Sequence, residues 1–307
     1  MKASAKPIDV LGLGCVAVDD LLYVPSFPAV DAKVQVEQGL RRCGGLTGAA
    51  LVTAARLGAR CAYAGCLGTD ELSQYVAEDF AREGISTAQA PRLPEARVVR
   101  AVIIVGRDTG SRNIFFQSDG RIGAHDSLPP EEVIRQAKVL FIDHCGMPGN
   151  LRAARVARGD GVAVVADFED AAAPCFEEVL GLADHLILSE AFALGLTGEP
   201  NAAQAALALW RPDRAAVIIT CGANGCWGLA EQGQRAARHF PAFPVKVADT
   251  TGCGDVFHGA YAARLVCGEP LAERIRFAAA AAALKAMQSE IPRLAAVEGF
   301  LGRNSVL

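Results

Sequence analysis

Clustered positive charge is the first thing this sequence does without. Its 307 residues carry 30 lysines and arginines against 34 aspartates and glutamates, a net charge of -4, so no nucleic-acid footprint is expected. A membrane span is also lacking: the Ala-rich run from Ala278 to Ala286 follows Arg276 and contains Lys285, and a run of that length is too short to cross a bilayer. The segment from Met1 to Pro7 has two lysines but leads into an apolar stretch broken by Asp9, Asp19 and Asp20, which does not fit a signal peptide. The ten cysteines include no Cys-x-x-Cys, and the histidines form no metal-binding pairs, so the thiols read as reduced core residues. There is no Gly-Lys pair for a phosphate loop, no His-Arg-Asp and no Gly-x-Ser-x-Gly elbow, which removes the P-loop, protein-kinase and α/β-hydrolase routes.

What is present is an ordinary globular composition, 51% apolar and 21% charged, too hydrophobic for disorder. It predicts a folded cytoplasmic enzyme, one domain over residues 1–307 with at most a small appendage. Apolar runs at Ile8 to Gly14, Cys61 to Cys66, Val139 to Asp143, Val162 to Asp167, His185 to Leu188 and Ala216 to Cys221 read as strands, with helices between most of them. Helices are also expected near Thr47 to Leu57 and, at the end of the chain, over Gly254 to Cys267, Pro270 to Met287 and Leu294 to Leu301. The helix over Asp70 to Glu83 is the best punctuated: Leu72, Val76 and Phe80 share a face, Asp70 can cap it and Gly84 can end it. Such alternation implies a mostly parallel sheet covered on both faces.

Gly12, Gly14 and Ala17 spell the dinucleotide fingerprint, but Pro25 and Pro28 leave no room for the helix its mechanism needs. Two other segments, Lys33 to Gln38 and Arg97 to Gln117, interleave polar and apolar residues as antiparallel strands do, with Gly106 to Ser111 as a turn. They are expected to build a small projecting sheet beside the cleft, a lid made of segments near 15–40 and 97–118.

The stretch that carries chemistry is Asp249-Thr250-Thr251-Gly252-Cys253-Gly254-Asp255, running directly into an apolar helix. A turn of small residues opening a helix leaves backbone N–H groups free to hold an anion, and Gly252 and Gly254 let a phosphate come close. Asp255 stands beside that anion. A carboxylate there is either a helix cap or a base that takes a proton from an attacking hydroxyl.

This segment resembles the Asp-Thr-x-Gly-Ala-Gly-Asp signature of the ribokinase-like, or PfkB, family of carbohydrate kinases, with Cys253 in place of the alanine. The likeness runs from Asp19 through Gly44-Gly45 and Ala54-Ala55-Arg56-Leu57-Gly58 to the C-terminal helices. It implies a three-layer α/β/α sandwich with a projecting β-sheet lid, and a kinase that uses ATP and Mg2+ to phosphorylate a hydroxyl of a small carbohydrate. Asp255 is implied as catalytic base, with the amides of Gly252, Cys253 and Gly254 as its anion hole. Asp19, Gly44 and Gly45 are implied on the sugar, with His144 facing the cleft, and Thr220, Gly222, Asp249 and Thr251 on the nucleotide. Lids of the family commonly pack together, which implies a homodimer through the lid and closure that excludes water from Asp255.

Departures from the family pattern carry information too. Ala17 and Ala49 stand where family members often place asparagines, which makes ribose a poor expectation. Ser189-Glu190-Ala191-Phe192 replaces the Asn-x-x-Glu that helps organise magnesium, leaving Glu190 either as the metal-side candidate, acting through a water, or as a plain helix-start glutamate. Val256-Phe257-His258-Gly259-Ala260, with Ser189-Glu190 and Leu196-Thr197-Gly198, is most similar to the sulfofructose kinase branch; ketohexokinase shares the incomplete metal motif. That implies a ketohexose-like or anionic sugar. An anion would want arginine, and Arg41, Arg42, Arg100, Arg107 and Arg112 all fall near the lid. The family often binds a monovalent cation through a Gly-rich loop between its last helices, but Met287 to Arg293 has no glycine, so potassium activation is left open. A nucleoside kinase of the same superfamily, or a catalytically silent sugar- or nucleotide-binding regulator, are the alternatives.

Overall fold

The computed structural model describes residues 6–230 and 236–304; the leading segment through Ala5, read above as no signal peptide, lies outside them. The chain opens with β1 (Ile8–Gly12), β2 (Ala17–Val24), β3 (Gln38–Gly44), α1 (Leu46–Arg56), β4 (Cys61–Tyr63) and α2 (Glu71–Arg82). It continues through β5 (Val99–Gly106), β6 (Arg112–Gln117), α3 (Glu131–Arg135), β7 (Ala137–Asp143), α4 (Met147–Gly159), β8 (Ala163–Asp167) and α5 (Phe176–Leu182). Then come β9 (His185–Ser189), α6 (Glu190–Thr197), α7 (Ala202–Ala208), β10 (Ala216–Thr220), β11 (Cys226–Leu229) and β12 (Arg238–Phe240). Helices α8 (Cys253–Val266), α9 (Leu271–Gln288) and α10 (Leu294–Arg303) close the chain.

Among the described residues the main sheet runs β12-β11-β10-β9-β8-β7-β1-β4. It is parallel from β10 to β4, with β11 and β12 antiparallel at one edge. Strand side chains alternate between faces, so each buried strand feeds two cores. Val10, Phe141, Val165, Ile187 and Ile218 pack with α1, α2, α8, α9 and α10, whereas Leu11, Leu140, Val164, Leu186 and Val217 pack with α3 to α7. This double burial is why the strands read as continuous apolar runs. Helix α2 starts where its cap predicts: Asp70 Oδ1 accepts the N–H groups of Leu72 and Ser73, each at 3.1 Å, and Gly84 turns left-handed just past the end.

No helix follows β1. The chain crosses instead into a second sheet, ordered β3-β2-β5-β6, which projects as the lid. Its hairpin β5–β6 falls where the sequence places it, but the strand expected over Lys33 to Gln38 does not form. Residues 33–37 are an exposed loop, and the strand begins at Gln38. The reason is register: Gln38 pairs with Tyr23, the Glu37 N–H makes a last bond to Tyr23 O at 2.9 Å, and β2 ends at Val24, before Pro25, so residues preceding Glu37 have no ladder to join.

Candidate active site

The parallel strands β7, β8, β9 and β10 end at Asp143, Asp167, Ser189 and Thr220, and the candidate residues gather at this carboxyl edge, where open α/β sheets bind ligands. Helix α8 points its N-terminus into the same edge. The loop before it is tied down behind: Ala248 and Asp249 donate their N–H groups to the Ala286 carbonyl at 2.7 and 3.1 Å, and Asp249 Oδ1 accepts the Thr251 N–H at 2.8 Å. Gly252 holds φ +75° at the helix start, a conformation that favours glycine. The Cys253 N–H, implied by the resemblance as part of the anion hole, is instead taken by Thr250 O, because the turn closes on itself there, and the Val256 N–H bonds to Gly252 O. The N–H groups of Gly254 and Asp255 have no backbone partner among the described residues, and a Cβ at Gly254 would meet no atom within 4 Å. A helix N-terminus with unpaired donors and open space at Gly254 is an arrangement that can hold an anion.

Asp255 sits half-buried in the first turn of α8. Burial, above all, and the neighbouring Asp167, Glu169 and Asp19 carboxylates push its carboxyl well above the usual carboxylate range, with His258 acting the other way. His258 is 3% exposed; its Nδ1 lies 2.8 Å from Gly254 O and its Nε2 3.0 Å from Ile187 O. Carbonyl oxygens only accept, so whichever ring nitrogen carries the proton donates to its carbonyl, and Asp167 Oδ2 lies 3.4 Å from Nδ1. The ring therefore links the anion-binding turn to β9 and β8.

On the lid side, burial pushes the Asp19 carboxyl up to about 6, with Asp20 adding to the rise and Arg42 opposing it. Gly44 is packed against that carboxylate: a Cβ there would lie 2.1 Å from Asp19 Oδ2. Gly45 has φ +81° and opens α1. His144 follows β7 and its Nδ1 accepts the Glu169 N–H at 3.3 Å. Beneath them the buried Asp143 accepts the N–H groups of Cys15 and Cys145 at 2.6 and 2.8 Å and the Thr47 hydroxyl at 2.7 Å, which fixes β1, α1 and β7 relative to one another.

Strand register sorts the five lid arginines. Arg42 lies opposite Asp19 and so shares its face; its Nη1 donates to Ser289 O at 3.0 Å. Arg112 lies on that face too and donates to the Thr250 hydroxyl. Arg41 is spent on Asp20 at 2.6 Å and Arg107 on Glu37 at 3.0 Å, and Arg100 lies on the Asp20 face.

Farther along the edge, the Thr220 hydroxyl donates to Leu188 O at 3.3 Å, Gly222 has open space around it and Glu190 begins α6. Phe192 is packed on Phe176, with ring centroids 6.2 Å apart, and Phe176 in turn on Phe168, so an aromatic cluster occupies the position where the resemblance implies a glutamate. Among the described residues no three His, Cys, Asp or Glu side chains are grouped as a metal cage. Sequence reasoning passed over Asp143, Asp167, His258 and Lys285. A signal existed for the first two, which end adjacent strands in register with each other.

Comparison with known proteins agrees with this geometry. A family model described as pfkB family carbohydrate kinase matches residues 10–291. The ribokinase of Haemophilus influenzae is 31% identical over 297 residues, covering 91% of this chain and 94% of that protein. Fructokinase-1 of Oryza sativa is 27% identical, covering 93% and 94%. Among solved structures, a putative ribokinase from Agrobacterium tumefaciens superposes with a TM-score of 0.90 at 26% identity over 97% of this chain and 98% of that one. Arabidopsis thaliana ribokinase complexed with ribose and ATP shares the fold at TM-score 0.80 and 23% identity, over 96% of this chain and 98% of that one. The chain belongs to the pfkB family of carbohydrate kinases, phosphotransferases that act on an alcohol group of a sugar.

Proposed function

We propose that this kinase transfers the γ-phosphoryl group of ATP to a hydroxyl of a ketohexose-like or anionic sugar, with Asp255 as the base. The observation that carries the reading is the pairing, within one helix turn, of a carboxylate driven up in pKa with two free backbone N–H donors. Donors aimed at the transferring phosphoryl stabilise its charge, and a carboxylate held above its usual range by burial is a stronger base for the hydroxyl proton. Asp19 approaches the same centre from the lid; a carboxylate accepts two hydroxyl hydrogen bonds, which suits a diol. Arg42 and Arg112 on the cleft face favour an anionic group on the sugar. Thr220, Gly222, Asp249 and Thr251 serve the nucleotide.

A nucleotide-bound Mg2+ needs only one or two carboxylates, its other ligands being phosphate and water. Glu190, at the nucleotide end of the edge, fits that modest demand through a water, and the metal would offset phosphate charge there. We place the enzyme in the cytoplasm, acting as a homodimer through the lid. Among the described residues no helix is long and apolar enough to cross a membrane.

The test is ADP release across ketoses, aldoses, sugar acids, sugar phosphates and nucleosides, for the native enzyme and for Asp255→Asn. The asparagine keeps size but cannot take a proton, so turnover should fall by about 10²-fold or more while ATP affinity holds. A variant with most of its kcat removes Asp255 from the chemistry; a preference for nucleosides moves the substrate class.

A further inference from the structure

Lys285 is a buried ionisable group that the reading above leaves unused. It lies in the last turn of α9, 1% exposed, and its Nζ stands 3.6 Å from Asp249 Oδ2, a side chain that is itself 1% exposed. That is an ion-pair distance but not a hydrogen bond, and Nζ has no hydrogen-bond partner among the described residues. An ammonium so placed is costly. Six consecutive alanines, Ala278 to Ala283, lead up to it in α9, and an apolar side chain would pack there at no such cost.

The surroundings explain what the charge is for. Asp249 is the first residue of the anion-binding loop, and its other oxygen holds the Thr251 N–H. The next residue of α9, Ala286, accepts both N–H groups that anchor that loop. The Tyr23 hydroxyl donates to Asp249 Oδ2 at 3.5 Å, and Arg42 reaches Ser289 O just past the helix. Burial pulls the Lys285 ammonium down and Asp249 holds it up. At Asp249 burial acts upward but is overcome by Lys285 and the bonds to Thr251, so that carboxyl is held below its usual value. The pair stands as an ammonium facing a carboxylate, since Asp249 also accepts the Thr251 N–H. An uncompensated Asp249 would repel the polyphosphate that the far side of the loop is shaped to hold.

Family resemblance implies a monovalent cation bound between the last helices, and these residues do not fit one. Met287 to Arg293 has no glycine, and the carboxylate of Asp249 already faces an ammonium, so a second cation beside it would meet like charge at contact range. We propose that Lys285 is the resident cation of the nucleotide loop, a positioning residue that neutralises Asp249 and makes the enzyme indifferent to potassium. This rests on the kinase reading above, since the loop must hold a nucleotide for its charge to matter.

The experiment measures ATP affinity by calorimetry alongside turnover, each in tetramethylammonium, potassium or ammonium chloride. The native enzyme should behave alike in all three. Lys285→Ala, which leaves a void beside Asp249, should lose about 10-fold or more in affinity and turnover in tetramethylammonium, and recover much of both in potassium or ammonium. Lys285→Met fills the same space without charge and should lose both in every salt. A native enzyme that needs potassium overturns the proposal without any variant. So does a folded Lys285→Ala enzyme that binds ATP normally in tetramethylammonium, or one whose loss no small cation relieves. Because the calorimetry needs no sugar, a wrong substrate class silences turnover yet leaves this result readable.

Discussion

Adding one methyl group at Gly44 tests the sugar side of the site at its tightest contact. An alanine Cβ would begin 2.1 Å from Asp19 Oδ2, 2.5 Å from Cγ and 2.8 Å from Oδ1. A carbon and an oxygen tolerate each other at about 3.3 Å, so the carboxylate must retreat by roughly 1 Å. Asp19 lies on β2 between β3 and β5, and Arg42 stands opposite, which leaves the side chain to rotate away from the cleft rather than the strand to move. Losing aligned charged hydrogen bonds to a diol costs about 1.5–3 kcal/mol each, and a misplacement of about 1 Å can cost on the order of 10²-fold. Gly44→Ala should therefore raise the sugar KM roughly 10- to 100-fold, with kcat and the ATP KM nearly unchanged, the pattern of lost uniform binding. Initial-rate kinetics with each substrate varied in turn read this directly. Gly45→Ala is the control. With φ +81° and a Cβ 2.8 Å from Ala17 N, its strain falls on the backbone and should cost about 1–2 kcal/mol of stability. If Gly44→Ala keeps the sugar KM within about two-fold at an unchanged melting temperature, Asp19 does not hold the sugar.

Two further outcomes are expected. Asp19→Asn should abolish sugar binding yet melt higher than the native enzyme at pH 8: a carboxyl raised from 3.8 to about 6 by burial binds its proton more tightly folded than unfolded, so its charge costs stability above pH 6, by up to about 3 kcal/mol. That advantage should shrink as pH falls from 6 to 4 and vanish below; a gain that is flat with pH would place its cause elsewhere. For the lid, Leu40, Ile114 and Phe116 are 44%, 48% and 69% exposed on the Asp19 face, so Ile114→Asp with Phe116→Asp should convert a dimer to a monomer in sedimentation, and an unchanged mass removes the lid from the interface.

How far the sequence could be read follows from where each residue finds its partners. Strands β7, β8, β9 and β10 were legible because burial on both faces leaves a run of apolar residues with nothing polar to break it, and Asp70 was legible as a cap because its partners lie two and three residues away. Val34 and Val36 alternate with polar residues as a strand does, yet alternation cannot show that β2 has already ended beside them. Strands β11 and β12 were missed for a related reason: they are four and three residues long and take their pairing from a neighbour rather than from a pattern of their own. The site divides the same way. Gly252, Gly254 and Asp255 lie on one turn and announce a helix that begins at an anion. The groups that tune that turn arrive from elsewhere: Asp167 from β8, the Ile187 carbonyl from β9 to meet His258, and Lys285 from α9 to meet Asp249. His258 and Lys285 each occupy a buried helical position that, by pattern alone, belongs to an apolar residue. A lysine inside an alanine run had looked only like a reason why that run could not span a membrane; folding brings its ammonium under the loop that a nucleotide must enter, and only there does its charge acquire a partner and a role.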